Sequence, residues 1–290
     1  MQRDDASSLT RVKAWLDQPS TRKRLRLFGL LLLLIGVGWA VTTLDLAWQD
    51  LSLPYLLVNL VLLTPMLLII AAWTFQVTAS AASAEVTLGQ SLSTVAYANV
   101  AELLPLPGGA MVRGAALVDA GASKGLAAKL VLLTAVLTLG LTIAVSSVAL
   151  VVLDHALWGW LTLASLIGIG IVLWLLTRHA DPRVLVWMVA LRLLTLAVTA
   201  GRLVFAFGAL GHAISLTEGA LYALAPTLGG AVGIMPAGLG LNEAVAAGLA
   251  VLVASSPAIA FLAVALDRVL ALAVGAVFVL VRSAVGGQRA

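Results

Sequence analysis

The sequence predicts an all-α integral membrane protein with six spanning helices and two re-entrant helical hairpins in inverted-topology repeats. Three observations predict this class. Of the 290 residues, 62% are hydrophobic and only 10% are charged, whereas soluble domains are about half apolar and about a quarter charged. The apolar residues fall in long runs, and a run of roughly 18 or more is long enough to cross a bilayer core as a helix. Two further apolar segments are interrupted by proline and glycine.

The composition excludes several kinds of site. The chain has no cysteine, which excludes disulfides, thiolate metal sites and cysteine nucleophiles. The three histidines lie far apart near the ends of apolar runs, and no Walker loop or HExxH motif is present. Residues 121–125 match the G-x-S-x-G pattern, but they join membrane helices and lack a histidine partner. We therefore expect no metal, no cofactor and no enzymatic activity.

The basic residues follow a topological pattern. Residues 1–26 form a polar, basic tail before an apolar run that is longer than a signal-peptide core, so we expect an uncleaved first span. The predicted spans are Leu27–Leu44, Pro54–Gln76, Leu126–Leu153, Trp158–Thr177, Val184–Leu210 and Ala258–Val281. Lysine and arginine are absent from the connections on one side and concentrated on the other. The positive-inside rule then places both termini in the cytoplasm, and no nucleic acid partner is needed to explain the positive charge.

The first interrupted segment covers residues 87–124. Its chain break contains Pro105, Pro107, Gly108 and Gly109, where prolines remove backbone donors and glycines free the backbone, so a helix must end there. The arm that follows is short and carries Arg113. This segment is predicted to enter the membrane from the cytoplasm and return.

The second interrupted segment covers residues 219–256, and its break contains Pro236, Gly238 and Gly240. Two broken segments at matching positions predict a first repeat at 27–153 and a second, inverted repeat at 154–290, as in many transporters. Irregular backbone at membrane depth is tolerated only where it is buried in protein or lines a cavity. The alternative is an eight-span protein in which both breaks are ordinary turns at the membrane surface.

Polar residues cluster around both breaks. A charge at the bilayer centre is costly, so such residues usually face a cavity or each other. The sequence therefore predicts a polar chamber where the hairpin tips approach. Its candidate residues are Asn99, Glu102, Arg113, Asn242, Glu243, Asp267 and Arg268.

Several roles stay open for these residues. Arg113 is suited to hold a phosphate with its planar fork of donors. Glu243 would balance Arg113, bind a cationic headgroup, take up a proton, or only cap its helix. Asp267 and Arg268 are adjacent on a helix and cannot face one another, so each needs another partner. Within one span, Arg192 is expected to reach the cytoplasmic side, whereas Arg202 lies deeper.

Glycines elsewhere are expected to allow close helix contact rather than ligand binding. They are Gly36, Gly38, Gly168, Gly170 and the pair Gly229 and Gly233.

The two breaks carry a family resemblance. Leu104-Pro-Leu-Pro-Gly-Gly-Ala-Met-Val-Arg113, with Asn99 before it, and Met235-Pro-Ala-Gly-Leu-Gly-Leu-Asn-Glu243 are similar to signature regions of the lysylphosphatidylglycerol synthase transmembrane family. Asp267-Arg268 in the last span adds to the second resemblance. An acidic–arginine pair that the family often carries after the first hairpin is missing from residues 129–134.

The resemblance implies a flippase-like protein of the bacterial cytoplasmic membrane that moves a polar-headed phospholipid between leaflets. It also implies that this chain does not make the lipid, because catalysis in the aminoacylating members sits in a separate soluble domain. Membrane lipids are therefore the expected partners. Two rival functions remain: a non-transporting membrane partner of a separate lipid-modifying enzyme, and a transporter of small soluble solutes.

Overall fold

The computed structural model of the protein describes residues 35, 42, 51–102, 108–155, 159–232 and 238–286. Within these ranges the chain forms helices and turns, and no strand occurs among them. The helices are α1 (Leu53–Ser80), α2 (Leu88–Ala101), α3 (Gly108–Asp119), α4 (Lys124–Val152), α5 (Gly159–Leu176), α6 (Pro182–Ala209), α7 (Leu216–Tyr222), α8 (Leu224–Val232), α9 (Leu241–Leu252) and α10 (Pro257–Gly286).

Five of these helices are long and apolar enough to cross a membrane: α1, α4, α5, α6 and, over Pro257–Val279, α10. They coincide with five of the six predicted spans, which differ from them by only a few residues at each end. The basic tail and the predicted first span, Leu27–Leu44, lie outside the described residues. The chain is a multi-pass, all-α membrane protein.

Capping residues mark the starts of two of the shorter helices, α2 and α7. Thr87 and Gln90 form a capping box at the start of α2, and Ser215 and Glu218 form another at the start of α7. In each box the hydroxyl accepts a backbone N–H while the partner side chain accepts the backbone N–H of the cap residue, which satisfies two orphan donors. The first arms of both hairpins therefore begin with the same device.

The first arm of the second hairpin is divided into α7 and α8 at Ala223. Pro226 explains the division, because it has no N–H to donate to the carbonyl of Tyr222 and its ring crowds that carbonyl. The sequence predicts one arm there, from residue 219 to the break. The division leaves two short helices before the break.

The packing crosses between the two halves of the chain. Helix α2 of the first hairpin packs on α10, the last span. Helices α7 and α8 of the second hairpin pack on α4, the last predicted span of the first half. Helix α1 packs on α6. Each hairpin is thus held partly by the opposite half.

Small residues allow this close packing. One buried cluster, formed mainly by α6, α7, α9 and α10, is rich in alanine and includes Ala206, Ala246, Ala250 and Ala263. Small side chains let helix backbones approach closely. This close packing matters in a membrane, because no hydrophobic effect drives helices together there.

The prediction that these glycines allow close helix contact is confirmed only in part. A Cβ on Gly229 would overlap the side chain of Asn242, so this glycine does allow close contact. The prediction is wrong for Gly168 and Gly170, where a Cβ would meet nothing within 4 Å. Gly36, Gly38 and Gly233 lie outside the described residues.

Candidate functional site

Two buried ion pairs meet on α10. Asp267 Oδ1 lies 2.9 Å from a guanidinium nitrogen of Arg202 on α6. Arg268 lies 2.9 Å from Glu243 Oε1 on α9. As their adjacency on one helix predicts, Asp267 and Arg268 have separate partners. Two consecutive residues of the last span therefore connect it to two different helices.

Asn59 of α1 joins the first of these pairs. Its amide nitrogen donates to the carbonyl oxygen of Arg202 at 3.1 Å and to Asp267 Oδ1 at 3.5 Å. Its amide oxygen accepts from Arg202 Nε at 3.4 Å and from the Thr64 hydroxyl at 3.2 Å. Arg202 also donates to the backbone carbonyl of Asp267 at 3.1 Å. The pair is consequently held in a hydrogen-bonded network that includes three spanning helices.

A local irregularity accompanies Asn59. Residues Val58–Leu63 form a π-helical segment inside α1, and Asn59 is its buried member. Pro65 follows the segment after Thr64 and has no N–H for the carbonyl of Val61, which its ring also crowds. A wider turn relieves that crowding, and such π segments are frequent at functional sites. Asn59 and Thr64 are not among the residues that the sequence predicted for the site, although Pro65 within a predicted span indicates an irregular helix there.

Glu243 is the most enclosed of the charged residues that the structure describes, with no exposed surface. It stands in the first turn of α9, which begins after Gly240 with φ +76°. The helix N-terminus and the nearby Arg268 both favour its negative charge. Breaking such a buried pair is costly because it leaves an uncompensated charge.

In the second hairpin, two glycines leave the space that the Asn242 side chain fills. A Cβ on Gly229 or on Gly238 would overlap Asn242 Oδ1. Gly238 also has φ +64°, a conformation that glycine adopts without strain. Asn242 Oδ1 is buried and has no hydrogen-bond partner among the described residues. The glycines around this break thus admit a polar side chain into a tight space.

The first hairpin has a different and more open pair. Arg113 lies 3.4 Å from Glu102 Oε1, and their side chains are 37% and 47% exposed. Gly109 makes room for Glu102, because a Cβ there would stand 2.6 Å from Glu102 Oε1. Asn99 is half-buried on α2 and makes no side-chain hydrogen bond within the described ranges. Pro105 and Pro107, like Pro236 of the second break, lie outside those ranges.

The predicted residues thus form separate groups. Glu243, Asp267 and Arg268 come together with Arg202 and Asn59, whereas Glu102 and Arg113 pair with each other. The interpretation in which Glu243 balances Arg113 is wrong: the partner of Glu243 is Arg268, because α9 packs directly on α10.

Arg192 makes a contact that the sequence did not predict. Its guanidinium donates to the Thr138 hydroxyl of α4. Arg192 is therefore held between two spanning helices.

A family model matches part of the chain. Residues 176–278 match the family model described as the lysylphosphatidylglycerol synthase TM region. This region contains Arg202, Glu243, Asp267 and Arg268, all four residues of the buried pairs. No curated protein matches the chain significantly. The family is linked to the handling of membrane lipids, and residues 176–278 of this chain are similar to its transmembrane region.

Proposed function

We propose that the protein translocates a polar-headed phospholipid between the leaflets of a bacterial cytoplasmic membrane, with both termini in the cytoplasm. The observation that carries the proposal is the group of four charged side chains buried between spanning helices beside the second hairpin. Burying a charged side chain between membrane helices costs free energy, and such residues usually mark the pathway of a substrate or ion. The family match supports a lipid as the transported molecule.

The hairpin dimensions support re-entrant segments. Helix α2 has 14 residues, whereas α3 and α9 have 12 each. At 1.5 Å per residue they are about 21 and about 18 Å long, well short of the roughly 30 Å hydrocarbon core. The crossed packing of each hairpin on the opposite half supports an inverted repeat, in which such segments form the binding site.

Arg113 is the proposed first contact for the lipid phosphate. Its pair with Glu102 is long and exposed to solvent, and such pairs contribute little stability. A phosphate offers two oxygens to the guanidinium fork and binds more strongly than one distant carboxylate oxygen. An incoming headgroup therefore displaces Glu102 at small cost.

The second hairpin is the proposed closed gate. Glu243 and Arg268 neutralise each other in a buried position, so the headgroup passes only when α9 separates from α10. Asn99 and Asn242 supply uncharged polar groups along the path. While the pair is open, Arg268 attracts the phosphate and Glu243 complements a cationic headgroup.

A vesicle assay tests the proposal. Purified protein is reconstituted in liposomes that contain headgroup-labelled anionic, zwitterionic or aminoacylated lipids, and an impermeant quencher reports how fast inner-leaflet label reaches the outside. We expect faster exchange than in protein-free liposomes, slowed by Arg113→Gln. Arg183→Gln removes the same charge at an exposed position and is the matched control.

Two outcomes would contradict the proposal. Exchange no faster than in protein-free liposomes for every lipid removes the transport function and favours a membrane partner of a lipid-modifying enzyme. Equal slowing by Arg113→Gln and Arg183→Gln leaves transport in place but removes the role of Arg113.

A further inference from the structure

A second polar site lies at the turn between α5 and α6. A cavity of about 310 Å³ opens there between this turn and the end of α1. It is lined by Ser80, Ser83, Thr177, Arg178, His179, Ala180, Asp181 and Val184. None of these residues belongs to the buried ion pairs, and the positive-inside pattern places the cavity on the cytoplasmic side.

Arg178 lines this cavity from the turn between α5 and α6, and Lys129 of α4 contacts the lining residue His179. Lys129 of α4 has its ammonium nitrogen 2.8 Å from His179 Nε2. Because an ammonium group only donates, Nε2 accepts and the proton of the neutral imidazole is on Nδ1, which remains a donor. Arg178 adds a permanent positive charge on the cavity wall. The site therefore combines two cations with an imidazole donor.

Hydroxyl groups and one carboxylate complete the lining. Ser83 makes no side-chain hydrogen bond within the described residues, so its hydroxyl is available to donate. Asp181 precedes α6 and caps no backbone N–H with its side chain. The arrangement suits a phosphate beside a group that donates hydrogen bonds, such as a hydroxyl or an ammonium.

An apolar track leads to the cavity along α5. This helix is the least buried of the five candidate spans. Ile167, Ile171 and Trp174 are each more than half exposed on one face, at the helical spacing that continues to Arg178. The Arg178 guanidinium lies 4.4 Å from the Trp174 ring centroid, a contact favoured between a cation and an aromatic face. Apolar surface thus runs directly to a cation at the membrane interface.

We propose that this cavity binds the phosphate-bearing headgroup of a lipid in the cytoplasmic leaflet, whose acyl chains lie along α5. Basic pockets between membrane helices on the cytoplasmic side bind such headgroups. Arg178 and Lys129 hold the phosphate, while Asp181 accepts from the headgroup hydroxyl or ammonium. The role of the cavity as a loading site rests on the proposed translocation, but its lipid binding does not.

Native mass spectrometry of the purified protein with added phosphatidylglycerol tests the inference. The variant Lys129→Gln/Arg178→Gln is expected to bind the lipid about thirtyfold more weakly, the order expected for two basic groups at a membrane surface. The matched control is Lys124→Gln/Arg183→Gln, which has the same net charge and changes exposed residues that neither line the cavity nor bond to His179 within the described residues. Equal loss in both variants, or in neither, would overturn the inference. Unchanged thermal unfolding of both variants confirms that the protein is folded.

A competition experiment distinguishes a lipid from free phosphate. Binding of phosphatidylglycerol that persists in excess inorganic phosphate but falls in Ile171→Ser supports a lipid site with an acyl-chain track. Displacement of the lipid by inorganic phosphate, with Ile171→Ser unchanged, assigns the cavity to soluble phosphate compounds and overturns the lipid assignment.

The two proposals fail separately. If the intact protein exchanges lipids in vesicles while Lys129→Gln/Arg178→Gln still binds phosphatidylglycerol normally, only the loading site is wrong. If lipid binding depends on the two basic residues but vesicles show no exchange, only the translocation proposal is wrong.

Discussion

At the scale of single residues, Asp267 and Arg268 organise the buried network. Each pairs across a helix interface at 2.9 Å, one with Arg202 and the other with Glu243. Removing one member of such a pair costs more than removing both, because the remaining charge is left in a low-dielectric environment. The network therefore makes sharp predictions for single and double substitutions.

Arg268→Gln is expected to lower the free energy of unfolding by about 3–5 kcal/mol, since it leaves the fully buried Glu243 without its cation. Glu243→Gln/Arg268→Gln is expected to recover most of that loss. Denaturation by sodium dodecyl sulfate, followed by tryptophan fluorescence, measures the difference. A double variant as unstable as Arg268→Gln would show that the two side chains are not energetically coupled.

Asn59→Ala is expected to lower the free energy of unfolding by roughly 1.5–3 kcal/mol, the range for hydrogen bonds to charged groups, because Asn59 bonds to both Arg202 and Asp267. Thr74→Val on the same helix is the control. The Thr74 hydroxyl donates only to the Ile70 carbonyl of its own helix. The same denaturation measurement should show little change for the control, and equal effects would argue against the network.

The residues of this network could be predicted only in part. The sequence indicates that Asp267 and Arg268 need different partners, because adjacent residues on a helix diverge. It does not identify Arg202 and Asn59 as members of one cluster. Their meeting depends on how α1 and α6 pack, and on the π segment before Pro65, which alters the direction of the side chains around Asn59.

At the scale of helices, the second hairpin depends on the fit between α8 and α9. Gly229 and Gly238 together enclose the side chain of Asn242. Gly230, the next residue on α8, has nothing within 4 Å of its Cβ position. Of these two neighbouring glycines, only Gly229 is needed for close packing, and substituting each by alanine tests this difference.

Gly229→Ala is expected to lower the free energy of unfolding by about 1–3 kcal/mol, as overpacking of a tight interface does. Gly230→Ala is expected to be neutral or stabilising by up to about 1 kcal/mol, because alanine has the higher helix propensity. Thermal unfolding of the unaltered protein and of the two variants measures whether each substitution lowers or raises stability. Adding Asn242→Ala to Gly229→Ala should remove the clash, and no recovery there would exclude the proposed fit.

The helices themselves are easier to predict than their irregularities. All five described spans follow from apolar runs that are long enough to cross a bilayer. The division at Ala223 and the π segment in α1 were not predicted, although Pro226 and Pro65 follow them within three residues. Proline shows that a helix must adjust, but neighbouring helices decide whether it breaks, kinks or widens.

At the scale of the whole molecule, the crossed packing of the hairpins defines the architecture. Helix α2 packs on α10, and helices α7 and α8 pack on α4, which are corresponding contacts in the two predicted repeats. In an inverted repeat, one hairpin enters from the cytoplasm and the other from outside. The absence of cysteine from the chain makes this topology accessible to chemical labelling.

A single cysteine at Leu106, between α2 and α3, is expected to resist an impermeant maleimide added outside spheroplasts, because a re-entrant tip does not reach the outer surface. Ala213→Cys, in the connection between α6 and α7, is expected to react from outside, and Lys124→Cys only from the cytoplasmic side. Labelling of the Leu106→Cys protein from outside would favour the eight-span alternative.

The measurement that tests the central claim most directly is lipid exchange by the Glu243→Gln/Arg268→Gln protein in vesicles. This variant removes both charges of the buried pair while avoiding an unpaired charge, so the folded state is expected to persist. If the pair guides the headgroup, the folded variant loses accelerated exchange. Exchange at the rate of the unaltered protein would show that the pair serves only the fold and that lipid passes elsewhere.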